Sequence, residues 1–250
     1  MPDAIAAALA SAGLFPLGLA YLVAGVIRGF TGFGTALIVV PVAGIYLNPA
    51  DILLMIGVSG ILSNLLLVPE AWRVGDRGEV GTLALAAMVA VPIGFGLQSV
   101  IDGVLIRWVV AAVAFVTLVA VVSGWQWRGK LGTGGLTSIG LGAGVVGGLT
   151  ALTGPIAIMF YLANARRAVA VRANMIMFLG AIDILLLVNV SVAGTFTWAV
   201  FWFSIIVSVP YMASIMIGKA LFDPDKEQLY RWAAYLVVFA ALVTGLPIWT

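Results

Sequence analysis

Residues Ala24–Thr31 read A-G-V-I-R-G-F-T, and residues Ala143–Thr150, 119 positions later, read A-G-V-V-G-G-L-T. Five of the eight paired positions are identical: Ala24/Ala143, Gly25/Gly144, Val26/Val145, Gly29/Gly148 and Thr31/Thr150. Each copy lies within a long apolar stretch and is followed by further glycine, Gly32 and Gly34 in the first case and Gly154 in the second. A hydrophobic segment interrupted by glycine, occurring at corresponding places in two halves of a chain, is the sequence pattern of a transporter whose binding site lies at the interruptions.

The rest of the chain fits that setting. It is 63% hydrophobic and 9% charged, with a mean hydropathy of +1.20. Such values imply an all-α polytopic membrane protein, because a transmembrane barrel would show short alternating segments instead. The start, Met1–Leu14, lacks the basic region of a cleavable signal peptide. Neither cysteine nor histidine occurs. Disulfides, thiol chemistry, haem ligation by histidine, the usual zinc sites and His-dependent hydrolysis are thereby excluded, and no cofactor or metal is expected. No segment carries a basic stripe, so nucleic acid is not an expected partner. No G-x-x-x-x-G-K-[ST] loop is present to power the chain with ATP.

Eight hydrophobic blocks can be read. The first, Leu14–Leu47, is split at Arg28–Gly34 into two arms; intact blocks follow at Ile52–Val68, Val80–Ile101 and Val104–Trp125. The fifth, Leu136–Ala163, is split at Gly147–Gly154, and Ala173–Val190, Thr197–Phe222 and Trp232–Trp249 complete the series. The intact blocks approach the roughly 20 residues a spanning helix needs, whereas each arm is expected to reach about half way. The chain therefore divides into two repeats, residues 1–130 and 131–250, each a broken helix followed by three transmembrane helices.

Basic residues discriminate between a kinked crossing and a re-entrant hairpin, because cytoplasmic loops carry the Lys/Arg excess. If each broken block crosses, four basic residues fall on one side and seven on the other. If both are hairpins, Arg73, Arg77, Arg128, Lys130, Arg166, Arg167, Arg172, Lys219, Lys226 and Arg231 share one side and only Arg107 lies opposite. The hairpin arrangement is the one expected. It puts both termini outside the cytoplasm and gives three crossings per repeat. The second repeat is then inverted and the two hairpin tips meet near the midplane. The tryptophans at 72, 108, 125, 127, 198, 202, 232 and 249 fall mostly near predicted helix ends, as an interfacial aromatic belt does.

At the breaks, Gly29, Gly32 and Gly34 permit tight turning, as do Gly147, Gly148 and Gly154, with Pro155 suited to the first turn of a returning helix. Thr31, Thr35, Thr150 and Thr153 add hydroxyls that can cap helix ends or touch a ligand. Two helix N-termini facing one gap make an anion site through oriented N–H groups and positive dipole ends. The competing account of the glycines is close helix packing. Arg28 can clamp a sulfonate or carboxylate in bidentate fashion, or pair with a carboxylate such as Asp183. Asp183 lies mid-helix, where an ionised carboxylate cannot face lipid, and at the 119-residue offset its counterpart is Asn64. Asp183 is a candidate for a coupled proton or for a structural ion pair. Asn174 is a further site candidate, while Asn189 suits a helix–helix hydrogen bond.

The runs G-V-I-R-G-F-T-G-F-G-T-A-L-I-V-V-P (Gly25–Pro41) and G-V-V-G-G-L-T-A-L-T-G-P (Gly144–Pro155) resemble the duplicated glycine-rich signatures of the sulfite exporter TauE/SafE family, also called the 4-toluene sulfonate uptake permeases. The resemblance extends over the whole chain and implies a secondary transporter of sulfite, sulfonates or other small anions in the bacterial inner membrane. The chain departs from the family's richer glycine runs at Phe30, Thr31, Phe33, Ala151 and Leu152, and the phenyl rings suggest a ligand with an organic portion. The expected site comprises Arg28, Gly29, Thr31, Gly32, Gly34, Thr35, Asn64, Gly148, Thr150, Thr153, Gly154 and Asn174, with Asp183 as a coupling or structural charge. The expected activity is alternating-access transport, not catalysis. The expected partners are a small anion, the lipid bilayer, a coupled proton and a second copy of the chain. A carboxylate channel or uniporter and a non-transporting scaffold subunit are the competing functions. A retinal protein is excluded because Lys130, Lys219 and Lys226 all lie off-centre in or outside the apolar spans.

Overall fold

The computed structural model describes residues 2–122, 132–163 and 167–223, with scattered positions between 225 and 239. Among the described residues every regular element is an α-helix: α1 (Pro2–Leu9), α2 (Leu14–Thr31), α3 (Thr35–Ala43), α4 (Pro49–Val74), α5 (Arg77–Leu97), α6 (Gly103–Val122), α7 (Thr133–Thr150), α8 (Gly154–Ala163), α9 (Ala168–Val192) and α10 (Trp198–Leu221). The expected repeat boundary at 130/131, the end of the fourth block and most of Trp232–Trp249 lie outside the described residues, as do Arg128, Lys130, Arg166 and Arg231.

Helices α2, α4, α5, α9 and α10 are long and apolar enough to cross a bilayer, and α6 adds a shorter apolar segment. Their outer faces carry exposed Phe15, Leu65, Leu85, Val89, Val209 and Met216. In water such a surface would be an aggregation liability, and in hydrocarbon it is the compatible one. The protein is a multi-pass membrane protein. Helix starts are written where the chain emerges. Asn48 caps α4, its side chain accepting from the Asp51 N–H at 3.0 Å ahead of Pro49 at the first helical position. Asp76 caps α5 by accepting from the Glu79 N–H at 3.1 Å.

The structure moves both breaks. Helix α2 runs unbroken through Arg28 and Gly29, so the first interruption is only Gly32–Gly34, not Arg28–Gly34. The second is Ala151–Thr153, not Gly147–Gly154. The reason is that Gly25, Gly29, Gly144 and Gly148 are packing glycines. A Cβ at Gly25 would meet the Tyr211 carbonyl at 2.7 Å, and one at Gly29 the Lys219 nitrogen at 2.8 Å, both on α10. On α5, a Cβ at Gly144 would meet Ala87 at 2.8 Å and one at Gly148 the Phe95 nitrogen at 2.8 Å. A glycine costs a helix about 1 kcal/mol relative to alanine, and backbone-to-backbone packing offsets it.

With 18 residues, α2 and α7 are each ~27 Å long. The expectation of two half-length arms therefore fails for the entering arm; only α3 and α8, at nine and ten residues, are too short to cross.

The first residues of α2, α3 and α4 (14, 35 and 49) reappear at the same 119-residue offset as those of α7, α8 and α9 (133, 154 and 168). The packing seams give the directions. Gly140, Gly144 and Gly148 of α7 lie on Leu83, Ala87 and Val91 of α5, so these helices are parallel, and Gly25 and Gly29 on Tyr211 and Ile215 make α2 and α10 parallel as well. Gly57 lies against Leu187, Gly60 against Asp183, and Gly180 against Asn64, so α4 and α9 are antiparallel. The entering helix of each break thus packs on a helix from the other half of the chain.

Candidate anion site

The two turns share one design. Gly32 (φ 84) ends α2 and Ala151 (φ 63) ends α7, both left-handed. Each returns its N–H to the carbonyl four residues back, Arg28 and Gly147 respectively, at 2.8 Å. Beside each turn a threonine hydroxyl closes the loop. Thr31 donates to the Ile27 carbonyl (2.8 Å) and accepts from the Phe33 N–H (3.3 Å). Thr150 donates to the Val146 carbonyl (2.7 Å) and accepts from the Leu152 N–H (3.1 Å). Thr31 and Thr150 build the turns and are bonded within them.

Across the α4/α9 crossing, three polar side chains meet. Arg28 Nη2 on α2 donates to Asn64 Oδ1 at 2.9 Å and to Asp183 Oδ2 at 3.2 Å. Asn64 Nδ2 donates to that same Asp183 Oδ2 at 3.1 Å. Arg28 and Asp183 are buried and form an ion pair. Charges in a bilayer interior persist only when paired in this way. Gly60 lies one helical turn before Asn64 on α4, and the Asp183 carboxylate occupies the space its Cβ would take.

Around the ion pair lies a cavity of about 20 Å³, roughly room for one water. Its walls include the first turns of two helices, Thr35–Leu37 of α3 and Gly154–Pro155 of α8, together with Arg28 and Asp183. Both short returning helices thus begin at one place, and their leading N–H groups and positive dipole ends border the same space. Two buried polar groups of its lining residues have no hydrogen-bond partner: Arg28 Nε and Thr153 Oγ1. Ile56, Leu179, Ile182 and Leu186 supply apolar wall. Behind Thr35, its hydroxyl and the Tyr211 hydroxyl are 2.7 Å apart; Tyr211 packs edge-on against Tyr21, whose hydroxyl bonds Ser59 at 2.9 Å.

Of the residues expected at the site, Arg28, Gly34, Thr35, Thr153, Gly154 and Asp183 line this cavity, and Asn64 holds two of them. The others lie elsewhere. Gly29 and Gly148 are in the helix seams, and Gly32 is the left-handed cap. Asn174 is engaged at the α4–α5 loop, where its Oδ1 accepts from the Asp76 N–H at 2.8 Å. Phe33 is core and Phe30 packs edge-on against Phe222, so neither ring faces the cavity as the sequence suggested.

Sequence reading missed Gly60 and Tyr211, although a glycine one turn from Asn64 and a tyrosine in an apolar span were visible. It also missed two carbonyl clamps. Arg172 Nη2 donates to the Gly29 carbonyl at 2.8 Å, and Gln98 Nε2 donates to the Gly148 and Leu149 carbonyls at 3.2 and 3.0 Å. Arg172 served in the sequence only as a loop charge, yet it is buried.

Residues 17–244 match the family described as sulfite exporter TauE/SafE. The chain belongs to that family. No curated protein and no solved structure matches it. The TauE/SafE family is one of membrane transporters, not of enzymes.

Proposed function

We propose that this TauE/SafE protein is a secondary transporter of a small sulfur oxyanion or organosulfonate, and that the anion binds between the two helix breaks. The observation that carries this reading is the convergence of two helix N-termini, an arginine and a bare threonine hydroxyl on one cavity. Arg28 Nε and Thr153 Oγ1 are buried with no acceptor to serve, and such groups beside two helix N-termini suit an anion. The cavity is too small for a sulfonate as it stands, so binding and release require the surrounding helices to part. We read the recurring helix starts and the antiparallel α4/α9 pair as two inverted repeats, 1–130 and 131–250, that rock against each other in alternating access. In this arrangement the α2–α3 and α7–α8 elements are re-entrant from opposite faces of the bacterial inner membrane, and both termini lie outside the cytoplasm. Asp183 is the candidate for carrying a coupled proton.

A thermal-shift screen of the purified protein against sulfite, thiosulfate, small sulfonates and carboxylates tests the substrate class. Stabilisation by small sulfonates, or by sulfite in its monoanionic form, is expected. Stabilisation by none of them, but by a cation or sugar, defeats the reading. Flux into proteoliposomes that saturates and shows counterflow is expected of a carrier; unsaturable flux would indicate a channel.

A further inference from the structure

Resting on that reading of the cavity, we infer that the site selects anions by charge, accepting monoanions and rejecting dianions, and that Asp183 is the residue that sets this limit. Among the described residues lining the cavity, Arg28 and Asp183 are the ionisable ones. Asp183 Oδ2 accepts from both Arg28 and Asn64, the bonding of an ionised carboxylate, so the pair contributes no net charge. Among the described residues Arg172 is the other buried cation near the breaks; it is engaged with the Gly29 carbonyl and the Phe222 ring and does not line the cavity.

What remains to balance a ligand is the field of two helix N-termini, worth about half a positive charge each, or roughly one in total. Both helices are long enough to carry such an end, and both begin at the cavity wall. The unpartnered Arg28 Nε and Thr153 Oγ1 add two directed donors without changing the sum. A sulfonate or another monoanion is therefore matched. A dianion would carry one uncompensated charge into a buried enclosure, where charge is expensive. Arg28 orients the ligand through its unpartnered Nε, while Asp183 subtracts the charge that would otherwise admit a dianion.

Methanesulfonate and sulfate make the test, because replacing one oxygen by methyl changes the charge while nearly keeping the shape. Calorimetric titration of the full chain in detergent, at one pH and ionic strength, is expected to show methanesulfonate binding roughly tenfold or more tighter than sulfate. Asp183→Asn keeps the shape and leaves Arg28 uncompensated, so the sulfate-to-methanesulfonate affinity ratio should rise by roughly tenfold or more. The Arg28→Gln/Asp183→Asn double variant returns the site to its original charge and should return the preference to methanesulfonate. Sulfate binding as well as methanesulfonate in the unaltered protein would overturn the inference while leaving an anion site in place. An unchanged ratio in a folded Asp183→Asn protein would overturn it too. If neither anion binds the unaltered protein, it is the anion site itself that fails. The preference of the unaltered protein decides the matter even where a variant does not fold.

Discussion

The first break and the second share a backbone and divide the chemistry. Where α2 carries Arg28, α7 carries Gly147; where the first turn ends in Gly34, the second ends in Thr153. The two differences are coupled, since Thr153 Oγ1 lies in the space that a Cβ on Gly147 would fill. Asn64 faces Asp183 in the same manner, a neutral amide in one half and a charge in the other. The carbonyls near the two tips are held by Arg172 on one side and Gln98 on the other. Identity is kept where it builds the turn, at Thr31/Thr150, and where helices touch, at Gly25/Gly144 and Gly29/Gly148. It is lost at the cavity wall, where Arg28, Thr153 and Asp183 have no identical counterpart at the 119-residue offset.

That contrast breaks most visibly at the ion pair. Arg28→Met or Asp183→Leu leaves a buried charge without its partner and should cost about 3–5 kcal/mol in thermal or denaturant unfolding. The Arg28→Met/Asp183→Leu double variant should recover most of that loss. Additive losses in the double variant would mean that the pair does not function as a unit.

The shared features should give a symmetric response. Gly29→Ala and Gly148→Ala each push a methyl into the backbone of a neighbouring helix and should cost about 1–3 kcal/mol. Gly18→Ala and Gly142→Ala, on open faces of the same two helices, should be neutral or slightly stabilising. Equal effects at all four positions would refute the seam. The unshared hydroxyl should matter for ligand instead. Thr153→Val removes one donor from the cavity and should weaken anion binding roughly tenfold, whereas Thr31→Val, whose hydroxyl is bonded within its turn, should not.

Much of this was legible before the fold. Apolar runs give a helical membrane protein, and the 119-residue offset aligns Asn64 with Asp183 directly. The positions of the breaks were not legible, because a glycine reads alike whether it turns a chain or admits a neighbouring helix. Gly29 and Gly148 do the second, and only the placement of α10 and α5 separates the cases. Phe30 and Phe33 misled for a related reason: proximity to a break in sequence does not say which face a ring takes. Gln98 carries no sequence signal at all, since its role depends on where α7 ends in space.

The smallest test asks whether the two turns are the same structure carrying different residues. Ala151 holds a left-handed conformation that costs a non-glycine residue roughly 1–2 kcal/mol. Ala151→Gly relieves that strain but returns about 0.4–1 kcal/mol through the freer unfolded chain. The net gain should be about 0.5 kcal/mol, read as a small rise in unfolding temperature. The mirror substitution, Gly32→Ala, acquires the strain and also meets the Arg172 carbonyl at 2.8 Å, so it should lose more than Ala151→Gly gains. Opposite signs at the paired positions mean that one backbone serves both halves, and that Ala151 is kept at the cavity wall against a small stability cost. A loss at both positions would show instead that the second turn has been rebuilt around alanine, and that the likeness of the two breaks ends at their sequence.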